Sequence, residues 1–203
     1  MKIKICGITN YEDAKLACDL GADAIGFIFY KKSKRSVEAG EVKNIISKLP
    51  VFILKVGVFV NERIDIVNQI MQDCKLNIAQ LHGDENVEYL NKINFPVVKA
   101  LRISNNYDYN ILKQYLNFNI LLDTFNNNEF GGTGTNFKWD TIPSDIKSKI
   151  ILAGGIKEEN LEEIFSNILP YAIDVSSSLE EYPGKKNRNK MLSFFEKYNK
   201  LNK

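Results

Sequence analysis

The chain has little of the material from which metal sites and disulfide frameworks are built: its 203 residues include three cysteines and one histidine. Cys6, Cys18 and Cys74 are an odd number, and no Cys-x-x-Cys or His-Glu-x-x-His motif occurs. Zinc sites and disulfide networks depend on such clusters. The sequence therefore predicts no metal centre and no disulfide framework, and this cysteine usage is typical of a reducing cytosol.

Long apolar and leader-like segments are missing as well. No run reaches about 18 apolar residues, which is the length that a membrane-spanning helix needs. A basic region followed by an apolar stretch is absent from the first residues, so we expect no signal peptide and a cytoplasmic protein. Because no stretch rich in proline, serine or glycine divides the chain, we expect a single domain over residues 1–203.

Charge is also nearly balanced, with a formal net charge of +2. The C-terminal tail is more basic, but a solvated helix face explains it more simply than a nucleic-acid site. We therefore expect neither a nucleic acid nor a membrane as partner. The small positive bias suits an anionic small-molecule substrate. No dinucleotide-binding fingerprint occurs, and no cofactor is expected.

Apolar, β-branched runs recur along the whole chain. Such near-continuous runs are typical of strands that are buried on both faces of a parallel sheet. The predicted strands are Ile3–Cys6, Ala24–Phe29, Phe52–Val60, Ile78–Leu81, Val97–Leu101, Ile120–Asp123, Ile150–Ala153 and Ala172–Val175.

Helical patterns lie between most of these strands. Apolar residues at i, i+3, i+4 and i+7 begin at Ala14, Val42, Val67, Leu161 and Met191. Weaker patterns cover Val87–Ile93 and Asn110–Leu116, and the weakest, Trp139–Lys147, contains Pro143. Eight strands that alternate with about eight helices predict a single (β/α)₈ barrel, an α/β fold of the TIM-barrel type. A doubly wound open sheet is the alternative, and internal similarity between the segments after Gly7 and after Gly155 favours the barrel.

Chemically capable side chains stand at the ends of the predicted strands, where barrels of this type build their sites. Cys6 ends the first strand and Asp123 ends the sixth. Burial of a carboxylate at the end of an apolar strand costs free energy unless the group is paired or functional, so Asp123 is predicted to be functional. Cys6 is predicted to be functional because a side chain at the end of a barrel strand faces the substrate. Cys18 and Cys74 lie on apolar helix stripes and are predicted to be core residues. His82 follows the fourth strand, and contact with substrate and stabilisation of the loop are equally good interpretations of it.

Two loops after the last strands suit a phosphate group. Gly154-Gly155 follows the seventh strand and lets the backbone approach a ligand at the start of a helix. Ser176-Ser177 follows the eighth strand, adds hydroxyl groups and is able to open a short helix. A plain glycine turn and a serine N-cap are the simpler explanation of each loop. Because barrel enzymes often bind phosphate at this pair of loops, their combination favours a phosphorylated substrate.

With these residues in place, a family pattern is recognisable. The motifs that carry it are KICGIT at 4–9, GADAIGFIFY at 21–30, SKR at 33–35, VGVFVN at 56–61, QLHGDE at 80–85, LLDT at 121–124, GGTG at 131–134, AGGI at 153–156, DVSSSLE at 174–180 and PGKK at 183–186. The chain resembles the phosphoribosylanthranilate isomerase family of tryptophan biosynthesis over nearly its full length. The order KICGIT, QLHG, DVSS is highly specific.

The resemblance implies an Amadori rearrangement of N-(5-phosphoribosyl)anthranilate to 1-(2-carboxyphenylamino)-1-deoxyribulose 5-phosphate. It implies that Cys6 is the general base, that Asp123 is the general acid, and that Arg35 holds the anthranilate carboxylate. It assigns the phosphate to the loops at Gly154-Gly155 and Ser176-Ser177. The other residues of the expected substrate pocket are Gln80, His82, Gly132, Gly134 and Asp174. A monomer or a homodimer is expected.

Two positions depart from the family pattern. Ser178 stands where the family usually has glycine, which permits unusual backbone angles or close approach of the phosphate. We expect the serine to be tolerated, because the flanking motifs are intact. Asn187 stands where an acidic residue often follows PGKK, and we expect it to cap a helix as well as aspartate does.

Two other functions compete with this assignment. One is the sister isomerase of histidine biosynthesis, which performs the same rearrangement on another aminoribosyl phosphate. Its family carries aspartate at the end of the first strand, so Cys6 argues against it, as does the lack of a second phosphate loop in the first half of the chain. The other is a catalytically silent barrel used for binding. Loss of Cys6 or Asp123 would mark such a protein, and both are present.

Overall fold

Eight parallel strands close into a barrel in the computed structural model, which describes residues 1–104, 107–124 and 139–203. Each strand pairs with the next along the chain, and β8 pairs with β1 to close the ring. The strands are β1 (Lys2–Cys6), β2 (Ala24–Ile28), β3 (Leu54–Phe59), β4 (Ile78–Leu81), β5 (Val97–Ile103), β6 (Asn119–Thr124), β7 (Ile151–Leu152) and β8 (Ala172–Val175). The predicted barrel is confirmed, and an open doubly wound sheet is excluded.

Helices connect the strands, but their regularity varies. The regular ones are α1 (Tyr11–Asp19), α2 (Ala39–Ile46), α3 (Ile64–Asp73) and α7 (Arg188–Leu201). The weakly patterned segments form only short helices: α4 (Val87–Leu90), a 3-10 helix over Tyr109–Tyr115, and a 3-10 turn at Trp139–Thr141 followed by α5 (Ser144–Lys147). The predicted helix from Leu161 is also irregular, since a 3-10 turn (Glu158–Asn160), α6 (Leu161–Glu163) and a π-helical turn (Ile164–Ile168) follow one another.

Two details of the sequence interpretation are wrong. The third strand begins at Leu54, not Phe52, because its pairing with the barrel starts where the Leu54 N–H donates to the carbonyl of Asp23. Val51 and Phe52 precede this pairing and are 83% and 99% exposed. Cys18 is only half-buried and packs at the edge of the core, whereas Cys74 is buried as predicted.

Alternation along the strands separates two regions of the interior. On β1, Ile3 and Ile5 pack with residues of the helices in the main core. Because neighbouring side chains of a strand point to opposite faces, Lys4 and Cys6 face the inside of the barrel. A second, smaller apolar cluster includes Ala100 of β5 and contributes to the barrel interior. The polar residues of the inside are thus carried by the carboxyl-terminal part of the strands.

A hairpin follows the barrel and returns the chain over its top. A 3-10 turn at Ser177–Leu179 leads into β9 (Glu180–Tyr182) and β10 (Lys185–Lys186), which pair antiparallel. α7 comes next, and the Asn187 side chain caps it by accepting from the Lys190 N–H at 3.0 Å, as predicted. Among the described residues, no helix combines the length and the apolarity that crossing a membrane requires.

Candidate functional site

A cavity opens at the carboxyl ends of the strands and encloses about 740 Å³ when its mouth is included. Among the residues that line it are the predicted site residues Cys6, Arg35, Gln80, His82, Asp123, Gly154, Gly155, Asp174, Ser176 and Ser177. Gly132 and Gly134 lie outside the described residues. The structure therefore brings residues from β1, β4, β6, β7 and β8 into one pocket, as the fold predicts for strand ends.

A buried lysine, which the sequence interpretation missed, lies beneath Cys6. Lys4 precedes Cys6 by two residues, so both side chains point into the barrel. The Lys4 Nζ donates to Asp174 Oδ2 at 2.6 Å and to Gln80 Oε1 at 2.8 Å. The same point beside β2, where a Cβ of Gly26 would stand, lies 2.7 Å from Cys6 Sγ and 3.3 Å from Lys4 Nζ, so the sulfur and the ammonium are neighbours. Lys4 thus joins β1, β4 and β8 at the floor of the pocket.

The contacts of Gln80 continue this network toward Asp123. Because Oε1 of Gln80 accepts from Lys4, its Nε2 is the donor to His82 Nδ1, at 3.1 Å. The remaining proton of a neutral ring is then on His82 Nε2, which lies 3.2 Å from Asp123 Oδ2. This distance lies within ion-pair range, but the approach lacks the angle of a hydrogen bond. His82 is therefore oriented by Gln80 and placed beside the Asp123 carboxyl group.

The ionisation of Cys6 is governed by opposing effects. Burial raises the pKa of the Cys6 thiol above its ordinary value, and the Asp174 carboxylate adds to the rise. Lys4 and, more weakly, Lys186 lower the pKa of this thiol without cancelling the effect of burial. In the empty pocket, Cys6 is therefore mainly a thiol at neutral pH.

Gly26 leaves the space that Cys6 and Lys4 occupy. It stands opposite Cys6 in the pairing of β1 with β2. A Cβ at this position would lie 2.7 Å from Cys6 Sγ and 2.9 Å from Lys4 Cε. Such distances are too short for any side chain, so only glycine leaves the thiol in its present position.

We expect Gly26→Ala to lower kcat by about 10²-fold, since a shift of about 1 Å in a reacting group costs this much. Gly57→Ala is a matched control: a Cβ at Gly57 of β3 would crowd Leu76 and Phe59 at 2.9 Å, away from the thiol. Both variants should lose stability, by roughly 1–3 kcal/mol, in thermal unfolding. Equal kcat values for the two variants in a steady-state assay would show that Gly26 matters only for packing.

Arg35 is held by a carboxylate from the C-terminal hairpin. Its Nε donates to Glu180 Oε1 at 2.8 Å and its Nη2 donates to Glu180 Oε2 at 2.7 Å, a bidentate pair with little exposure. Glu180 Oε1 also accepts a hydrogen bond from Lys186 Nζ at 3.2 Å. Although burial alone raises the pKa of Glu180, these two cations lower it below the ordinary value. One edge of the guanidinium is thus fixed while Arg35 lines the pocket.

The two predicted phosphate loops face the same cavity. Gly154 and Gly155 have φ values of 81° and 67°, which favour glycine. The helical segment after them begins only at Glu158, so the expectation that the glycines open a helix directly is wrong. The short helix predicted after β8 is present as the 3-10 turn Ser177–Leu179.

Serine side chains of the second loop differ in their contacts. The Ser176 hydroxyl donates to the Cys6 carbonyl at 3.1 Å, which ties the loop to the end of β1. The Ser178 hydroxyl is buried and has no hydrogen-bond partner among the described residues. Ser178 as a residue lines the cavity.

Sequence reasoning missed the residues that support the site, namely Lys4, Gly26, Glu180 and Lys186. Lys4 had a detectable signal, because its position two residues before Cys6 places both on one face of a strand. Glu180 and Lys186 belong to motifs that were noted, but their partners are distant in sequence. A second buried lysine, Lys99, lies outside the pocket, where its Nζ is 2.7 Å from Glu85 Oε2.

Within residues 1–104, 107–124 and 139–203, no group of three or more histidine, cysteine, aspartate or glutamate side chains is placed to hold a metal ion. The residues that meet in the pocket are instead a thiol, carboxylates, cations and hydroxyls. This set is able to bind an anionic substrate and to move protons.

Comparisons with known proteins identify relatives of this chain over nearly its whole length. The family described as N-(5'phosphoribosyl)anthranilate (PRA) isomerase matches residues 3–197. The N-(5'-phosphoribosyl)anthranilate isomerase of Bacillus mycoides is 42% identical over 206 residues, with 100% of each chain covered. The structure of phosphoribosyl anthranilate isomerase from Thermotoga maritima superposes with a TM-score of 0.91 at 38% identity, covering 98% of this chain and 99% of that one.

Two further structures add information about ligands and assembly. One is phosphoribosyl anthranilate isomerase in complex with reduced 1-(o-carboxyphenylamino)-1-deoxyribulose 5-phosphate, with a TM-score of 0.87, 37% identity and coverage of 98% and 99%. The other contains monomers generated from the dimeric enzyme of Thermotoga maritima, with a TM-score of 0.86, 35% identity and 98% coverage of both chains. From the match of the family along nearly the whole sequence and from these relatives, the chain belongs to the phosphoribosylanthranilate isomerase family.

Proposed function

We propose that this protein converts N-(5-phosphoribosyl)anthranilate into 1-(2-carboxyphenylamino)-1-deoxyribulose 5-phosphate, acting as one domain over residues 1–203 in the cytoplasm. The observation that carries the proposal is the meeting of Cys6 and Asp123 in one pocket, from strands that β7 and β8 separate. Groups on such strands are able to reach a sugar from different sides. The relatives' activity and the complex with a reduced product support the same substrate.

The first step opens the furanose ring, and Asp123 is assigned to it. The nitrogen lone pair forms a C=N bond at C1′ as the bond from C1′ to the ring oxygen breaks. A protonated Asp123 delivers its proton to that oxygen, which becomes the C4′ hydroxyl group of the open-chain sugar. Asp123 is 4% exposed at the end of an apolar strand. Its carboxyl group lines the pocket, so a bound substrate is within reach of it.

The second step forms the enolamine, and Cys6 is assigned to it. The Cys6 thiolate removes the proton from C2′, and the electrons of that bond form a C1′=C2′ double bond while the C=N bond becomes a C–N single bond. The resulting enolamine tautomerises to the 2′-ketone of the product. The reaction moves hydrogen within one molecule and consumes no oxidant or reductant, so acid and base suffice.

The activity is tested directly with purified protein. We expect first-order loss of the fluorescence of phosphoribosylanthranilate, and a loss at least about a hundredfold slower when the Cys6→Ala variant replaces the parent. The aminoribosyl phosphate of histidine biosynthesis should not be consumed. Turnover of that compound alone would assign the chain to the sister reaction, and inertness toward both would leave a binding barrel.

We propose that Arg35, which lines the pocket, binds the substrate carboxylate through its guanidinium. Arg35→Ala is expected to lower kcat/KM by about tenfold to a hundredfold, as for a lost charged hydrogen bond of roughly 1.5–3 kcal/mol. The inhibition constant of inorganic phosphate should change little, because the phosphate belongs to the loops after β7 and β8. Equal weakening of substrate and phosphate would reassign Arg35 to the phosphate or to folding.

A control separates charge from anchoring at Arg35. Glu180→Gln keeps the guanidinium but weakens the bidentate pair that holds it. We expect a smaller loss of kcat/KM than for Arg35→Ala. An equal loss would show that only the anchored position of the guanidinium matters.

We also propose that the protein is a homodimer. Val51 and Phe52 form an apolar protrusion before β3, at the amino end of the barrel and away from the pocket. Exposed adjacent apolar side chains of this size often mark an interface, and a related structure is described as coming from a dimeric enzyme. A dimer formed through this surface leaves the pocket open.

Phe52→Asp is therefore expected to shift the protein from dimer to monomer in sedimentation velocity, with kcat within about twofold of the parent. Leu116→Asp changes an exposed leucine elsewhere and serves as the matched control. A parent that sediments as a monomer at all concentrations would contradict the homodimer. A Phe52→Asp variant that stays dimeric would place the interface elsewhere.

A further inference from the structure

Lys4 is a buried lysine with 6% of its surface exposed. A buried ammonium group is costly unless it is paired and hydrogen-bonded. An ammonium group has three N–H donors and no acceptor. One donor is directed to Asp174 Oδ2 and a second to Gln80 Oε1. The third remains for the neighbouring Cys6 sulfur, because a Cβ at Gly26 would lie 3.3 Å from Lys4 Nζ and 2.7 Å from Cys6 Sγ.

The charge of Lys4 persists in this environment. Although burial alone lowers the pKa of Lys4, the Asp174 carboxylate and the Cys6 sulfur raise it above its ordinary value. An N–H donor on a charged nitrogen favours an anionic acceptor. Because Asp174 and Gln80 fix two donors, the ammonium is anchored beside Cys6 and does not move as the flexible end of a free lysine would.

The other groups around Cys6 are less well placed for this task. Asp174 of β8 opposes ionisation of the thiol, because like charges repel. Lys186 of β10 favours ionisation through its charge, but its Nζ donates to Ser176 O and Glu180 Oε1. Gly26 of β2 contributes no side chain. Of the two lysines that act on the thiol, Lys4 is thus the one that shares the inner face of β1 with Cys6.

We propose that Lys4 stabilises the thiolate of Cys6 and that the Lys4 ammonium, anchored by Asp174 and Gln80, is the group that makes this cysteine usable as a base. The inference rests on the proposed function only in calling Cys6 the base; the effect on thiol ionisation stands apart from turnover. Asp174 then has a positioning role, since it holds the ammonium that it partly neutralises.

The competing explanation is structural. A buried lysine paired with a carboxylate is a common structural element of folded proteins, and Lys99 with Glu85 is such a pair on the outer face of β5. Removal of either lysine leaves an uncompensated buried carboxylate and destabilises the protein. Stability alone therefore does not distinguish the two explanations, whereas the ionisation of Cys6 does.

The test measures the pKa of Cys6 in a chain where it is the sole cysteine, with Cys18→Ala and Cys74→Ala. The rate of alkylation by iodoacetamide is followed by mass spectrometry from about pH 6 to pH 10, since only the thiolate reacts. In this background, Lys4→Met is expected to raise the Cys6 pKa by at least one unit. Alkylation below that pKa then slows by about tenfold or more.

Lys99→Met in the same background is the matched control, because it removes a buried lysine from an ion pair that does not touch Cys6. Its alkylation profile should superpose on that of the parent. If Lys4→Met fails to fold, the double variant Lys4→Met with Asp174→Asn removes both buried charges and is compared with Asp174→Asn alone. The double variant should again show the higher thiol pKa.

The outcomes separate the two proposals. Superposable profiles for Lys4→Met and the parent, or an equal shift in Lys99→Met, would overturn the role of Lys4. If the profile shifts as expected but Cys6→Ala retains turnover, the role of Lys4 in thiol ionisation stands and the assignment of Cys6 as base fails. If both hold, the acid limb of kcat/KM should move to higher pH in Lys4→Met by the same amount as the alkylation profile.

Discussion

Cys6→Ala is expected to lower kcat by about 10²- to 10⁴-fold, the range that general acid-base groups contribute. No other thiol is able to replace it, since Cys74 is buried under α2, where its sulfur meets the Ala39 carbonyl at 3.5 Å. Circular dichroism and the inhibition constant of inorganic phosphate should match the parent. The measurement is single-turnover decay of substrate fluorescence, which reports the chemical steps without product release.

Cys18→Ala and Cys74→Ala are the controls for this prediction. Both remove a thiol from the helical layer, and Cys74→Ala should lower stability because Cys74 belongs to the main core. Neither should change kcat by more than about twofold. A folded Cys6→Ala variant with kcat within about tenfold of the parent, or about 1.4 kcal/mol, would refute the assignment of the base.

The pH dependence of kcat/KM follows from the same residue. A general base acts when deprotonated, so activity rises with pH through the pKa of the free protein's thiol. Burial raises the pKa of Cys6. The acid limb should therefore lie above about pH 8.5, the ordinary value for cysteine, and activity should still increase from neutral pH to that value. A limb that is complete well below neutral pH would contradict this.

The barrel was predictable because each of its strands is marked by a short, continuous pattern of residues in the sequence. Each strand is an apolar run of its own, and the order of strands and helices restricts the fold to few arrangements. The errors arise where apolar character has another cause. Phe52 reads as part of a strand, but it lies outside the hydrogen-bonded part of β3 and is exposed to solvent. Apolarity alone does not distinguish a buried strand end from a surface protrusion.

The positions of site residues were predictable to a similar degree, but their partners were not. Strand ends in a barrel converge, so the placement of Cys6 and Asp123 in one pocket follows from the fold. The contact of Lys4 with Asp174 spans 170 positions of sequence and depends on how β8 pairs with β1. That register results from closure of the whole barrel, and no local pattern of residues encodes it.

Asp123→Asn is expected to lower kcat by about 10²- to 10⁴-fold, because an amide has no proton to give to the ring oxygen. The change nearly preserves the size of the side chain and the packing of Asp123 between β5 and β7. Asp84→Asn is the matched control: Asp84 follows β4 and pairs with Arg102, the residue opposite Asp123 on β5, but it is an exposed aspartate outside the pocket. Its kcat should stay within about twofold of the parent.

His82 is the rival donor that this experiment has to exclude. Its Nε2 lies 3.2 Å from Asp123 Oδ2, and the Gln80 contact at Nδ1 leaves the ring proton on the side of Asp123. If His82 were the acid, His82→Gln would lose about as much kcat as removal of the acid should cost, and Asp123→Asn would lose much less, because the ring keeps its proton. We expect the reverse order, with His82→Gln reduced mainly in substrate binding and Asp123→Asn reduced in kcat. Single-turnover rates of the two variants at saturating substrate therefore decide which group protonates the ring oxygen. A folded Asp123→Asn variant within about tenfold of the parent, or about 1.4 kcal/mol, would transfer the role of acid from Asp123 to His82.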